Sequence, residues 1–156
     1  MKAYLVTGGA GFIGSNFIKY MLSKYKDIKI INVDLLTYAG NLENLEAEKD
    51  NPNYIFVKAD ICDKKSIEQI FSKYDIDYVV NFAAESHVDR SIVDPEIFVK
   101  TNVLGTVNLL NVAKQNWQLT DDKFKEGKKY IQISTDEVYG SLGETGYFTE
   151  TTPLDP

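Results

Sequence analysis

Lys2-Ala3-Tyr4-Leu5-Val6-Thr7-Gly8-Gly9-Ala10-Gly11-Phe12-Ile13-Gly14 is the stretch that decides the fold. Residues 2–7 read as a short buried strand, and beyond Gly14 the apolar residues Phe17, Ile18, Met21 and Leu22 recur at helical spacing. Glycines at 8, 11 and 14 therefore stand on a strand-turn-helix hinge. Without Cβ atoms the turn can adopt positive φ and let a pyrophosphate approach the backbone, while the helix start offers free N–H groups and a partial positive charge. No basic side chain is needed there. A glycine triplet alone is a weak signal. Its companion is Asp34, which follows a second apolar run, Ile28 to Val33, at the spacing where an acid accepts hydrogen bonds from an adenosine ribose. Together they point to a dinucleotide, and to NAD rather than NADP, because a carboxylate repels a 2′-phosphate and no arginine is near Asp34 in sequence. The plain alternative is an ordinary strand-to-helix turn followed by a loop aspartate.

Outward from this hinge, strand-like and helix-like stretches alternate, the signature of a parallel sheet covered on both faces. Strands are expected at Lys2 to Thr7, Ile28 to Val33, Tyr54 to Ala59, Asp77 to Phe82 and Tyr130 to Ser134. Helices fit Gly14 to Lys24, Lys64 to Lys73 and Glu96 to Asn116, the last after Asp94-Pro95, a favourable helix start. The expected fold is α/β, a doubly wound parallel sheet in the order 3-2-1-4-5. Thr120 to Lys129 reads as a charged loop with Gly127, and Gly140 to Pro156 as a polar stretch without regular pattern. The helix from Glu96 carries Ile97, Phe98, Val103, Leu104, Val107, Leu109, Leu110 and Val112, more apolar residues than one face can hide.

Composition bounds the rest. With 156 residues, 44% of them hydrophobic, the chain can bury about two thirds of its unfolded surface, enough for one domain. A net charge of −6 argues against nucleic acid, which is bound by clustered Lys and Arg. The single Cys62 excludes an intrachain disulfide and favours a reducing compartment, and with His87 as the only histidine no metal site is expected. Cys62 reads as packing. No apolar run is long enough to span a membrane and the first segment does not read as a signal peptide. A cytoplasmic protein with no membrane partner is the expectation.

The second informative stretch is Ser134-Thr135-Asp136-Glu137-Val138-Tyr139-Gly140. It follows the last expected strand, and ligands of open α/β sheets bind outside the carboxyl ends of the strands. Two adjacent carboxyls there cannot both ionise cheaply, so one tends to hold a proton while the other is charged. Such an acid and base suit removal of a proton from one carbon and protonation of a hydroxyl on the next, the two halves of eliminating water. The alternative is a polar surface turn.

These residues carry a family resemblance. The chain resembles the amino-terminal part of an extended short-chain dehydrogenase/reductase, whose cofactor domain is of the Rossmann type, and more narrowly the dTDP-glucose 4,6-dehydratases. The likeness rests on residues 7–15, on Val33-Asp34-Leu35-Leu36-Thr37-Tyr38-Ala39-Gly40-Asn41, on Ala59-Asp60-Ile61-Cys62-Asp63, on Ala83-Ala84-Glu85-Ser86-His87-Val88-Asp89-Arg90-Ser91 and on Ser134 to Gly140. The resemblance implies that Gly8, Gly11, Phe12, Ile13 and Gly14 cradle the NAD pyrophosphate, that Asp34, Leu35 and Thr37 hold the adenosine ribose, and that Asp60 and Ile61 meet the adenine. It places Phe82, Ala83, Ala84, Ser86 and Thr101 on the nicotinamide side, and Ser86, His87 and Thr135 toward a nucleotide-sugar substrate. The plainer readings are a strand-end cap for Asp60, a helix-face hydroxyl for Thr101 and a hydrogen-bonded structural histidine for His87, the last on a par with the pocket role. By the same resemblance Thr135 bonds the sugar 4-hydroxyl, Asp136 protonates the departing C6 oxygen and Glu137 removes the C5 proton, in rhamnose-type deoxysugar biosynthesis. A homodimer is implied for the full-length protein.

One departure matters. The family's catalytic Tyr-x-x-x-Lys pair lies shortly after a segment like Thr149 to Pro156, and the chain ends first. Tyr139 cannot replace it, because Gly143 stands where lysine is required, and Tyr147 is followed by Thr151. The expectation is a cofactor-binding half without its substrate domain, inactive alone. A UDP-glucose 4,6-dehydratase, an epimerase relative and a stand-alone NAD-binding module remain as alternatives.

Overall fold

The computed structural model describes residues 1–156. Its strands and helices run β1 (Lys2–Thr7), α1 (Phe12–Lys24), β2 (Ile28–Asp34), β3 (Tyr54–Lys58), α2 (Lys64–Lys73), β4 (Tyr78–Asn81), α3 (Val88–Val93), α4 (Pro95–Phe98), α5 (Thr106–Trp117), β5 (Gln118–Thr120), β6 (Lys123–Phe124) and β7 (Lys129–Gln132). The main sheet is parallel throughout, in the order β3-β2-β1-β4-β7. β7 is its fifth strand, so the order expected from sequence holds. The helices begin and end close to the expected positions. β5 and β6 form a small antiparallel hairpin that overlaps the start of the stretch 120–129 expected to be a loop; so short a pair carries no alternation to read.

Successive strand residues face opposite sides of a sheet, and β1 uses both. Leu5 joins Ile31, Val79, Leu109, Val112 and Trp117 beneath α2 and α5, while Val6 joins Ile18, Ile30 and Leu45 beneath α1 and the short helical segment Leu42–Glu48. Asp63 caps α2 by accepting from the backbone N–H groups of Lys65 and Ser66 at 3.1 and 3.3 Å. Such caps contribute about 1 kcal/mol.

The stretch expected as one helix from Glu96 is helical from Pro95 to Trp117, but Val99–Gly105 between α4 and α5 is wound as a wider π-helix. π segments are often found at functional sites, and this one carries Lys100, Thr101 and Asn102. Along it and into α5 the apolar excess is visible: Val99, Val103, Leu104, Val107 and Leu110 are 43–57% exposed. Helix α3 was not foreseen because it buries nothing, leaving no period to detect. No helix is long and apolar enough to cross a membrane.

Candidate active site

A cleft of about 190 Å³ opens at the carboxyl ends of the strands, where the order reverses between β1 and β4. Gly8, Gly11, Asp34, Leu35, Thr37, Asp60, Ile61, Phe82, Ala83, Ala84 and Thr101, all among the residues that the resemblance implies for the cofactor, line it; Glu85 and Lys100 line it too and had not been singled out. Gly8 has φ +66°, and a Cβ there would meet the Ala83 backbone N at 2.6 Å. The two loops touch through backbone alone, which only glycine permits. Gly14 lies outside the cleft wall but fixes its shape: a Cβ would stand 2.4 Å from the Gly8 carbonyl oxygen. Phe12 and Ile13 turn their side chains away, into an apolar groove with Phe17, Val80, Phe82, Ile131 and Ile133. What they offer an anion is backbone N–H, since α1 starts with no side-chain cap and no acid in its first turn.

Asp34 is buried, and its carboxylate ties the turn after β1 to the loop after β2. Oδ2 accepts from Ala10 N at 2.9 Å and Oδ1 from Leu36 N at 2.8 Å. The second bond draws Leu36 to φ +58°, a conformation that costs about 1 kcal/mol or more for a residue with a Cβ. Each oxygen keeps lone-pair capacity for a ribose hydroxyl. Asp60 joins its two readings: Oδ1 accepts from Cys62 N at 2.8 Å in a turn after β3, and the residue still lines the cleft. Cys62 packs against Gly105 and bonds the Lys100 carbonyl at 3.2 Å. Burial, then the nearby Asp60, pushes its thiol up to about 11, as suits packing rather than nucleophilic work.

Beneath the cleft a polar network ties three strand ends together. Thr7 donates to Asn81, which donates to Gln132 Oε1 at 2.9 Å and to Thr106 at 3.4 Å. Tyr130 also donates to Gln132, at 3.0 Å, and burial pushes its phenol up to about 12. On the far wall the Asn102 side chain clamps Glu85, accepting from its N–H and donating to its C=O, both at 2.8 Å. Ser86 and His87 are exposed at the rim. His87 stands edge-on to Tyr38, with ring centroids 6.1 Å apart. Arginine is also closer to this lip than the sequence suggested: Arg90, the only one in the chain, stacks on Tyr38 four residues past Asp34.

Thr135, Asp136 and Glu137 leave β7 at the same end of the sheet; Thr135 precedes a single tight helical turn, Asp136–Tyr139, and all three are exposed. The chain folds back over this turn, with Asp155 N donating to Val138 O at 3.0 Å and Tyr139 stacked on Phe148 at 5.1 Å. A Tyr-x-x-x-Lys spacing does occur on α1, where Lys24 Nζ donates to Tyr20 at 2.5 Å. It lies toward the carboxyl end of α1, whereas the cleft adjoins the amino end, about 12 Å away along the axis. That pair is a surface contact.

The pattern of the GDP-mannose 4,6 dehydratase family matches residues 5–156. The chain belongs to this family. Among curated members it is 49% identical over 156 residues to the dTDP-glucose 4,6-dehydratase of Xanthomonas campestris pv. campestris (strain B100), covering all of this chain and 44% of that one. Of solved family structures, the dTDP-glucose 4,6-dehydratase from Bacillus anthracis in complex with NAD superposes with a TM-score of 0.83 at 50% identity, covering 100% of this chain and 44% of that one. DesIV, the dTDP-glucose 4,6-dehydratase of Streptomyces venezuelae with NAD bound, does so with a TM-score of 0.84 at 41% identity, covering 99% and 45%. The chain thus spans less than half the length of these dehydratases.

Proposed function

We propose that residues 1–156 form the NAD-binding domain of a dTDP-glucose 4,6-dehydratase, a lyase that converts dTDP-glucose to dTDP-4-keto-6-deoxyglucose and water. The observation that carries this reading is the presence in one chain of a dinucleotide cleft and of Thr135-Asp136-Glu137 at the carboxyl end of the neighbouring strand. The cleft fits NAD: glycines permit close approach, an uncapped helix start faces the pyrophosphate position, and Asp34 keeps acceptor capacity for ribose hydroxyls.

Bound NAD supplies a hydride acceptor for sugar C4 and returns that hydride to C6. Thr135 positions the 4-hydroxyl by hydrogen bonding. Glu137 takes the C5 proton, which the 4-ketone has made acidic, and Asp136 gives a proton to the departing C6 oxygen. Successive residues of a tight turn diverge by about 120°, so the two carboxyls can address neighbouring carbons rather than one atom. Each positioned acid or base contributes about 10²- to 10⁴-fold. The tyrosine and lysine that would assist hydride transfer, and the nucleotide pocket, we assign to the part of the relatives that this chain does not span. The chain alone is therefore expected to bind cofactor without turnover.

We further infer a rhamnose-type biosynthetic role, a cytoplasmic setting and a homodimer in the full-length protein. The unpaired Cys62 suits a reducing compartment. The half-exposed apolar stripe from Val99 to Leu110 suits an interface, and self-association by sedimentation checks it. Titration calorimetry tests the cofactor assignment. NAD should bind more tightly than NADP by about 10-fold or more, the equivalent of one charge-assisted hydrogen bond. Equal affinity would remove Asp34 from the ribose site. Full-length protein should release 4-keto-6-deoxy sugar from dTDP-glucose with no net change in NAD, and failure to do so would leave only a binding module.

A further inference from the structure

The two lips of the cleft are joined by a chain of contacts that the reaction leaves unused. On one lip Tyr38 belongs to the loop after β2, which follows Asp34 and carries Leu35 and Thr37. On the other, Glu85 belongs to the loop after β4. Between them stands Arg90. Its guanidinium lies 3.9 Å from the centroid of the Tyr38 ring, and its Nε lies 3.7 Å from Glu85 Oε2. Glu85 is 6% exposed and lines the cleft, yet Oε2 accepts no hydrogen bond. A buried carboxylate oxygen without a donor is unfavourable, and the nearest cation is about 0.8 Å beyond the usual length of a charge-assisted bond. Asn102 holds the Glu85 backbone at both N–H and C=O, so the carboxylate cannot escape to water by moving the loop. The side chain free to move is Arg90, 45% exposed and planar, with one face already on an aromatic ring.

We propose that Arg90 is a latch across the cofactor cleft: with a dinucleotide bound, it closes onto Glu85 while remaining stacked on Tyr38, and so slows cofactor release. The inference rests on the dinucleotide reading of the cleft. It suits a cycle in which the cofactor is restored within each turnover and has no need to exchange. Arg90 and Tyr38 act here as positioning residues; neither touches a reacting atom.

Release kinetics test it on this chain. The protein is loaded with NADH, chased with excess NAD, and followed by nicotinamide fluorescence; association is measured separately by mixing. Arg90→Lys, which keeps the charge and loses the plane, and Tyr38→Leu, which loses the ring, should each speed release by about tenfold, the scale of a partly desolvated cation–π contact. Association should stay within about twofold, and Tyr38→Phe should behave as the parent, since the stacking face is kept. Because both contacts belong to one latch, the double variant should also release about tenfold faster rather than a hundredfold. Tyr38 and Arg90 are both about half exposed, so folding is not at stake, and thermal melting verifies it. Release within twofold of the parent in both single variants, or a double variant near a hundredfold, would overturn the latch while leaving the cleft a cofactor site. Failure of the parent to bind NADH at all would overturn both.

Discussion

The two ends of the sheet are built from the same strands and finished in opposite ways. At the amino end a cluster of charges is paired within itself. Asp77 accepts from Ala3 N at 2.8 Å and meets Lys128 at 3.3 Å; Lys128 also reaches Asp75 at 2.8 Å and the Ile76 carbonyl at 2.9 Å, and Lys129 N donates to the Asp77 carbonyl at 3.0 Å. At the carboxyl end a helix starts uncapped, Leu36 sits at positive φ, Glu85 has a buried oxygen without a donor and two carboxyls stand exposed on one turn. Satisfied groups hold strands together, whereas unsatisfied ones are kept where a ligand will complete them. Substitutions at the first end should change stability and spare the ligand; those at the second should weaken the ligand or the reaction.

The largest effect is expected at the carboxyl pair. In full-length protein, Asp136→Asn or Glu137→Gln should slow elimination by about 10²-fold or more, the usual loss when a positioned acid or base is removed. The first hydride transfer should be spared, because neither carboxyl acts on the 4-hydroxyl. Reduced nicotinamide should then accumulate in a single turnover while release of the C5 hydrogen lags. Elimination within about twofold of the parent would return the pair to a surface turn.

Gly14→Ala should come next, and its sign makes it sharp. In an ordinary helix interior this change stabilises by about 1 kcal/mol. Here the new Cβ would meet the Gly8 carbonyl oxygen at 2.4 Å and Gly9 Cα at 2.8 Å, so the hinge must shift. The expected outcome is a loss of about 1 to 3 kcal/mol of stability, as for other overpacked sites, with NAD affinity falling by tenfold or more, on the order of the 1.4 kcal/mol that such a ratio represents. A stability gain with unchanged affinity would show that the hinge does not need its glycines.

How far the sequence could be read follows the same division. The sheet order was legible because Leu5, Ile31 and Val79 against Val6, Ile18 and Ile30 are periodic runs that burial imposes; glycine spacing and Asp34 located the cleft, and the family resemblance supplied the rest of its lining. What escaped was set by contacts without period. Helix α3 buries nothing, the π segment looks in sequence like any helix, and Glu85 was passed over between Ala84 and Ser86 because its environment comes from Asn102 and Arg90. The Tyr20 and Lys24 pair shows the converse, a spacing without a site.

The smallest expected effect belongs to the amino end and bounds the comparison. Asp77 is mostly buried, and burial by itself would raise its carboxyl; the Ala3 N–H and the Lys128 ammonium outweigh that and hold it below the ordinary 3.8. A carboxyl lowered on folding adds stability that is fully present above its unfolded value and is lost as pH falls through the folded one. Asp77→Asn should therefore cost about 2 kcal/mol near neutral pH, the range for removing a hydrogen-bonded charge, and lower the melting temperature by about 4–8 °C. The deficit should shrink as the pH drops below 3.8, where the parent loses the same interaction. NAD affinity should stay within about twofold, because the substitution lies at the end of the sheet away from the cleft. If affinity fell along with stability, the two ends would be coupled through β1 and β4, and the separation of scaffold from site would fail.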